Sequence, residues 1–525
     1  MGGKRVSVDQ IKSLALELQR RRQGSLTVGG SRRTLPGYDA LDSYYRATQP
    51  LQFLHEEVLE QSHGRLRSLA VNWARVVIGA IEERLEVQGF DTGVADVDVD
   101  LWRIWQANNL DEWSILGHSD AMVHGRSFGL VWGDENDPTT PRITVESGSQ
   151  MTVAYKPGTT KIVAAAKFYR SDDADPNSPN PPLTGWLYLP DRIEKYRGSA
   201  GVSGYGNWEL DGDVLDNPLG VVSVVPLVNR PQLLDLGGES ELTDIIPLLD
   251  AINKLATDMM VSSEYHAMPR RWATGLNMGR DRRARNELKA RAKEEWDDLS
   301  KGRTMLGGKD VAFGQFSEAS LENFIAAIKL LVSQIAAIAG LPPHYMGINA
   351  DNPASADAIR SAESSLVKKA RRKQRTFGGG WEEVARLAIA VRDGISYDEL
   401  TSDLRGMRTV WADPTTPTPG AKADAALKLT SGDRPIIDVD QARLDLGYSP
   451  DEIRSMNART ESAANLSATA DVRARIDLAQ ELMDTQGLSQ PAAYAAVGLL
   501  QAASQMSGTT PATVTPAGQS GQQNT

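Results

Sequence analysis

Apolar residues recur at three-and-four spacing over most of this chain, the mark of helices that bury one stripe. Ile11, Leu14 and Leu18 form such a stripe near the start, and Arg20, Arg21 and Arg22 close it. Cations suit a helix C-terminus, so the pattern predicts a capped surface helix. Leu66, Leu69, Trp73, Val76, Val77 and Ala80 predict mainly helix over 51–85. Trp102, Trp105, Trp113, Leu116 and Met122 continue the pattern over 101–124, until Gly125 breaks it and 127–132 reads as a strand.

From about 141 to 228 the pattern shortens. Strands are expected at 143–145, 151–155, 161–169, 185–189 and 221–225, separated by Pro, Gly, Asn and Asp clusters, with 172–182 a loop by composition. Beyond Pro231 helices return, at about 240–266, 281–299, 318–340 and 354–392. A Pro- and Gly-rich boundary follows at 413–420, then Ala-rich helices at 421–431, 438–446, 450–459 and 462–503. The uncharged tail 507–525 is expected to be disordered. The fold class is α+β, predominantly helical, with no solenoid repeat.

Composition narrows the function. At 525 residues the chain carries a soft prior of three or four domains and can bury a core without disulfide or metal staples. Lys and Arg total 57 against 68 Asp and Glu, a net charge of −11. That balance argues against a surface that coats DNA throughout, though not against a local basic strip. Cysteine is absent, which excludes disulfides, thiolate nucleophiles, Cys-zinc sites and iron–sulfur clusters; no charged-then-apolar leader opens the chain. The most apolar stretch, 324–341, contains Lys329, Ser333 and Gln334 and stops at Pro342-Pro343. A central lysine is costly in lipid, so a buried helix in a soluble assembly is expected and no membrane partner.

Catalytic signatures nearly occur and fail. Gly302 to Asp310 has the look of a phosphate loop, but its spacing is one residue too long and Asp310 stands where a Ser or Thr should hold magnesium. Asp96, Asp98 and Asp100 start like a calcium loop, but Leu101 and Ala107 replace its Gly and Glu, so a solvated acidic helix start is expected. His55-Glu56 lacks a second histidine, and no Gly-x-Ser-x-Gly occurs. With six scattered histidines, no enzyme, metal or cofactor is expected.

What remains is an arrangement between 238 and 392. A helix written GESELTDIIPLLDAIN (238–253) carries an apolar stripe of Leu248, Leu249, Ile252, Leu255, Ala256 and Met259, and Pro247 fits only its first turn. A polar insertion over 268–316 is basic in its first half, with Arg270, Arg271, Arg280, Arg282, Arg283 and Arg285; a strand, a helix and a short strand pair near 304–313 are expected in it. The apolar helix 321–340 and the irregular loop 341–353 come next. A long helix then ends in Lys368, Lys369, Arg371, Arg372, Lys373 and Arg375, and Gly378, Gly379 and Gly380 allow a kink before it resumes at Trp381. Three readings of that basic run stay open: solvated cations at a helix end, a DNA contact, or an intersubunit strip.

Together these segments resemble the portal proteins of tailed bacteriophages, in particular long-tailed phages of actinobacterial type. The likeness is carried by the 238–253 helix, IAAIAGLPPHYMGIN (335–349), NPASADAIRSAESSL (352–366) and VWADPTTP (410–417). WRIWQANNLDEWS (102–114) and AMVHGRSFGLVW (121–132) add to it. It implies a homo-oligomeric ring, usually of twelve subunits, around a channel for double-stranded DNA at the unique capsid vertex of the virion, assembled in the host cytoplasm. Its implied parts are a wing (1–235), stem helices (236–267 and 318–340), a clip between them (268–317) and a tunnel loop (341–353). A long kinked helix with a return to the wing (354–412), a helical crown (413–505) and a disordered tail (506–525) complete it. Implied partners are the packaging motor (terminase), a head–tail adaptor, and the major capsid and scaffolding proteins. Arg280, Arg282, Arg283 and Arg285 would serve docking at the clip, with a solvated helix start as the alternative reading.

Elementary physics fits a conduit. A pore that neutralised many phosphates would hold DNA rather than pass it. The loop offers His344, Tyr345, Met346, Ile348 and Asn349, one acid (Asp351) and no Lys or Arg; Tyr345 and Met346 either face the pore or plug the core beneath the loop. A ring also needs a heterologous contact that closes. The helix 321–340, apolar on more than one face, is expected to supply it through Ile325, Ile328, Val332 and Ile335. The rival readings are another structural head–tail connector or minor head protein and, further off, a DNA-packaging enzyme.

Overall fold

The computed structural model describes residues 2–28, 31–50, 70–171, 182–201, 204–205, 208–233, 235–267, 271–274, 286, 312–315, 321–347, 356–415, 419–431, 435–448 and 450–498. The chain divides into two units, Met1–Thr416 and Pro417–Thr525. Outside the described residues lie Leu66, Leu69, His55-Glu56, most of the 172–182 loop, the expected helix 281–299 except Asn286, the phosphate-loop look-alike 302–310 and the tail.

In the first unit, helix α1 (Gly2–Arg22) buries Ile11, Leu14 and Leu18 completely or nearly so. Its other side leaves Lys12, Ser13, Leu16 and Arg20 exposed, as a surface helix should, but Arg21 near its end is buried between Glu17 (2.9 Å) and Asp235 (3.4 Å). The hairpin β1 (Ser25–Val28) and β2 (Ser31–Thr34) leads to α2 (Tyr38–Arg46). Helix α3 (Trp73–Glu82) begins where the Asn72 side chain accepts from the Arg75 amide (3.1 Å). Strand β3 (Val87–Asp91) follows.

The tryptophan-rich pattern of 101–124 splits into α4 (Ala95–Ala107) and α5 (Leu110–His124). The break is made by Asn108, whose amide group donates to the Ile104 and Pro141 carbonyls, both at 2.9 Å, and accepts from the Ile143 amide (2.8 Å). Asn109 then turns into the left-handed region (φ +52°). At the start of α4, Asp98 accepts from the Thr92 amide (2.8 Å) and hydroxyl (2.6 Å), an ordinary acidic N-terminus.

Strand β4 (Arg126–Trp132) is the centre of a sheet ordered β13-β4-β5, with β5 at Arg142–Ser147. A second antiparallel sheet runs through β6 (Met151–Tyr155), β7 (Ile162–Arg170), β8 (Pro182–Tyr188) and β9 (Arg192–Gly201). The short strands β10 (Gly204–Tyr205), β11 (Glu209–Leu210) and β12 (Leu215–Asp216) pair with β9, and β13 (Val224–Val228) returns to β4. β9 escapes the sequence pattern because of its charges. Its buried Glu194 is satisfied by Arg192 (2.8 Å) and by the Tyr196 hydroxyl (2.7 Å). On β4 the strand period of two sends Phe128 and Leu130 into a core with Met151, Val153 and Ala165. Gly129 and Val131 point the other way, toward the helices.

Helix α6 (Ile246–Ala267) takes Pro247 in its first turn. The strand pair β14 (Arg271–Thr274) and β15 (Ala312–Gln315) opens and closes the polar insertion, and α7 (Glu322–Ala339) follows it. Helix α8 (Ala356–Asp393) then runs unbroken for 38 residues. The helix is continuous through the glycine triplet that was expected to allow a kink, and packing gives two of the nearby glycines another use. A Cβ on Gly380 would stand 2.5 Å from Leu227 Cδ2, and one on Gly129 would stand 2.7 Å from Val384 Cγ2. These glycines let α8 lie directly on β4 and β13. Phe377 and Trp381 flank that contact; Trp381 donates to His118 Nε2 (2.8 Å), and burial pushes His118 down to about 3, keeping it neutral. Strand β16 (Arg408–Trp411) closes the unit by pairing with β3.

The second unit holds α9 (Pro419–Thr430), α10 (Val439–Asp445), α11 (Pro450–Gln486) and α12 (Gln490–Ala496). Two helices expected over 450–503 are one 37-residue helix and a short one, parted at Gly487 (φ +64°). Every residue from 458 to 478 is exposed.

Packing separates the glycines of the triplet in a way stability measurements read. Gly380→Ala is expected to cost about 1–3 kcal/mol, because fully buried Leu227 has no room to yield. Gly379→Ala faces open space and is expected to gain up to about 1 kcal/mol of helix propensity. Urea unfolding of the two variants checks the sign of each.

Candidate functional site

Helix α7 stops because Gly340 adopts the left-handed conformation (φ +70°) and two prolines follow. The chain then makes one short 3-10 turn, Pro343–Met346, ended by Gly347 (φ +70°). This turn divides the residues expected to meet DNA. His344 is exposed. Met346 is 2% exposed and sits in the main core, so it is a plug beneath the turn and not a contact group. Tyr345 lies between, half-buried and held by its hydroxyl. Ile348, Asn349 and Asp351 lie outside the described residues.

The Tyr345 hydroxyl accepts from Arg84 Nη2 (2.8 Å) and donates to Glu363 Oε1 (3.3 Å). Arg84 also donates to the Ala80 carbonyl (3.0 Å), lies 5.8 Å from the centre of the Tyr345 ring, and reaches Glu363 at 3.8 Å. One buried guanidinium thereby ties α3, the turn and α8 together. Nothing in the sequence singled out Arg84 or Glu363, since each reads as an ordinary charge on a helix.

The basic run on α8 divides as well. Lys369 and Lys373, four residues apart, lie on the face that also carries Leu366, Ala370 and Phe377. Both turn inward onto Glu241, which is buried just before α6. Lys369 reaches Glu241 Oε2 at 2.7 Å and donates to the Ala339 carbonyl at the end of α7 (3.1 Å). Lys373, 5% exposed, donates to Glu241 Oε1 and to Asn229 Oδ1 beyond β13. The expectation of a six-residue surface strip is therefore corrected: Lys373 is internal, Lys369 is engaged, and Lys368, Arg371, Arg372 and Arg375 are exposed. Arg371 lies 3.6 Å from Asp413.

Burial alone would raise the Glu241 carboxyl, but Lys373 and Lys369 outweigh it and hold it at about 2. Burial pushes Lys373 down to about 8, with Lys369 and Arg230 adding repulsion against the pull of Glu241. The two shifts have different causes: at Glu241 the lysines win over burial, and at Lys373 burial wins over the carboxylate.

The four residues expected to join subunits fare unequally. Ile325 is 45% exposed and Ile328 half-buried, but Val332 and Ile335 are in the core of their own chain. One face of α7 is used up against α6 and the turn after it. The opposite face leaves Leu330 and Ile338 at least half exposed, and only 22% of the helix is buried. A helix buried within an assembly was expected, and its own chain covers only part of it. By length and composition alone it could cross a membrane. Arg280, Arg282, Arg283 and Arg285 lie outside the described residues.

Glu241→Gln is expected to cost about 3–5 kcal/mol at neutral pH, since two lysines would face an uncharged amide. The carboxyl is held below its ordinary value of 4.5, so its contribution is complete above pH 4.5 and is lost as pH falls toward about 2. Denaturant unfolding should show the gap between the two proteins closing over that interval.

With this geometry in place, comparison with known proteins gives consistent findings. The family model described as phage portal protein, SPP1 Gp6-like, matches residues 29–434. The portal protein of Mycobacterium phage D29 is 36% identical over 450 residues, covering 80% of this chain and 84% of that protein. The portal protein of Mycobacterium phage L5 is 36% identical over 417 residues, covering 75% and 79%. Among solved structures, a chain in the neck of a native GTA particle with C12 symmetry aligns with a TM-score of 0.42 at 15% identity, over 77% of this chain and 97% of that one. A chain in the neck of an empty GTA particle with C6 symmetry gives 0.43 and 14%, over 77% and 96%.

Proposed function

We infer the working parts of this protein from one premise: the chain belongs to the SPP1 Gp6-like family of phage portal proteins. The carrying observation is the family match across 29–434, supported by 36% identity to two mycobacteriophage portal proteins over most of both chains. It is a structural protein of the virion, at the portal vertex of the capsid. Our reading is a homo-oligomeric ring of twelve copies whose channel passes double-stranded DNA during packaging and ejection, with no catalysis of its own. The motor, the head–tail adaptor and the capsid and scaffolding proteins dock around it, and assembly takes place in the host cytoplasm.

The parts are assigned as membership of that family implies them. Helices α6 and α7 act as the stem, 268–317 as the clip with its arginines toward motor and adaptor, and 413–505 as the crown. The wing is 1–235 with the return through 354–412, and 341–353 is the loop facing the channel. Exposed His344 leads that loop, and its remaining residues bring no Lys or Arg, so DNA meets a surface with little counterion-release affinity. The half-covered α7 supports the ring: Ile325, Leu330 and Ile338 need cover, and Lys329 in mid-helix favours a neighbouring protein surface over lipid.

Leu330→Asp with Ile338→Asp is expected to convert rings to folded monomers, read by light scattering after size exclusion alongside circular dichroism. Intact rings would remove α7 from the interface. His344→Lys, Ile348→Lys and Asn349→Lys together should leave rings intact and slow DNA packaging in a motor-driven assay. Normal rates would place the loop away from the DNA.

A further inference from the structure

A cleft of about 220 Å³ opens where the approach to α6, the end of α7 and the middle of α8 meet. Its charged lining is Arg230, Glu241, Asp244, Lys369, Arg372 and Lys373, four cations against two carboxylates. The pairing inside it is incomplete. Arg230 reaches Asp244 (2.9 Å), and Lys369 and Lys373 share Glu241. Arg372, exposed at the cleft, has no acidic partner among the described residues. Arg230 is moreover a non-glycine residue in the left-handed region (φ +47°), a costly conformation that its bonds to Asp244 and the Ser240 carbonyl (3.2 Å) retain.

We propose that this cleft seats an aspartate or glutamate carboxylate from a second copy of the chain. The assignment rests on the ring reading above and adds to it a defined contact. Three observations select a carboxylate on protein over a phosphate. The cleft is lined on one side by Ile338, which is 50% exposed and belongs to the same uncovered α7 surface as Leu330, so an occupant must present apolar surface beside its charge. The chain carries 68 acidic against 57 basic residues, so a neighbouring copy offers acids in excess. A closed ring joins two different surfaces of the same chain, which permits a cationic cleft on one side to meet an acid on the other.

The test is zero-length carbodiimide coupling in rings of the full-length chain mixed from light- and heavy-nitrogen protein, using Arg372→Lys to place an amine at the cleft. Mass spectrometry is expected to find position 372 joined to an acidic residue of another copy, with mixed isotopes in the linked peptide. Arg372→Glu is expected to weaken ring association roughly tenfold at physiological salt. Rings in which position 372 couples only within its own chain, or not at all, overturn the proposal while leaving the ring reading intact. Failure to form any oligomer overturns both. If duplex DNA or inorganic phosphate, and not ring assembly, shields the amine at 372 from acetylation, the cleft is a phosphate site and the proposal falls.

Discussion

A carboxylate buried beneath two lysines cannot move without moving the elements that carry it. Glu241 stands before α6, Lys369 and Lys373 on α8, and Lys369 also donates to the Ala339 carbonyl at the end of α7. The cation at the end of α7 suits the helix dipole, and removing either partner of a buried pair leaves a charge stranded out of water. The elements that would line and frame a DNA channel therefore meet at one electrostatic joint. Arg84 makes a second, smaller joint from α3 through Tyr345 to Glu363. Between the two, the turn after α7 is fixed at its base and free at its exposed face.

Packing completes what the joint begins. Helix α8 lies directly over β4 and β13 because glycines at 129 and 380 remove the side chains that would hold them apart. That close contact consumes the inner face of α8, α6 and the turn after α7 cover one face of α7, and an apolar strip on α7 is left with nothing among the described residues to cover it. An exposed strip of that kind is the usual sign of an association surface. The monomer is thus complete in its core and incomplete on one helix, the condition a ring subunit should meet.

Much of this was legible in the sequence, and the failures have physical causes. The helices at 246–267, 322–339 and 356–393 and the stop at Gly340 and Pro342-Pro343 could be read because apolar period and helix-stopping residues are local signals. The glycines at 378–380 read only as room for a kink, because glycine means flexibility in isolation, whereas in the packed interior Gly380 also serves close approach. Lys369 and Lys373 read as surface cations, since their acid lies more than a hundred residues away and no local pattern announces it. Val332 and Ile335 were assigned to the wrong interface for a similar reason: periodicity says that a face is buried, not by which chain. The charged strand β9 was missed because its buried Glu194 is satisfied by neighbours that sequence reading counts as polar surface.

The central claim is that the uncovered side of α7 is covered by a neighbouring copy while the turn after it faces an open axis. A single-particle structure of the purified full-length protein tests it directly. The account predicts a closed ring in which Leu330 and Ile338 pack on the adjacent subunit and His344 points toward the central opening. A closed ring with Leu330 and Ile338 still solvent-exposed, or with His344 sealed between subunits, would contradict it.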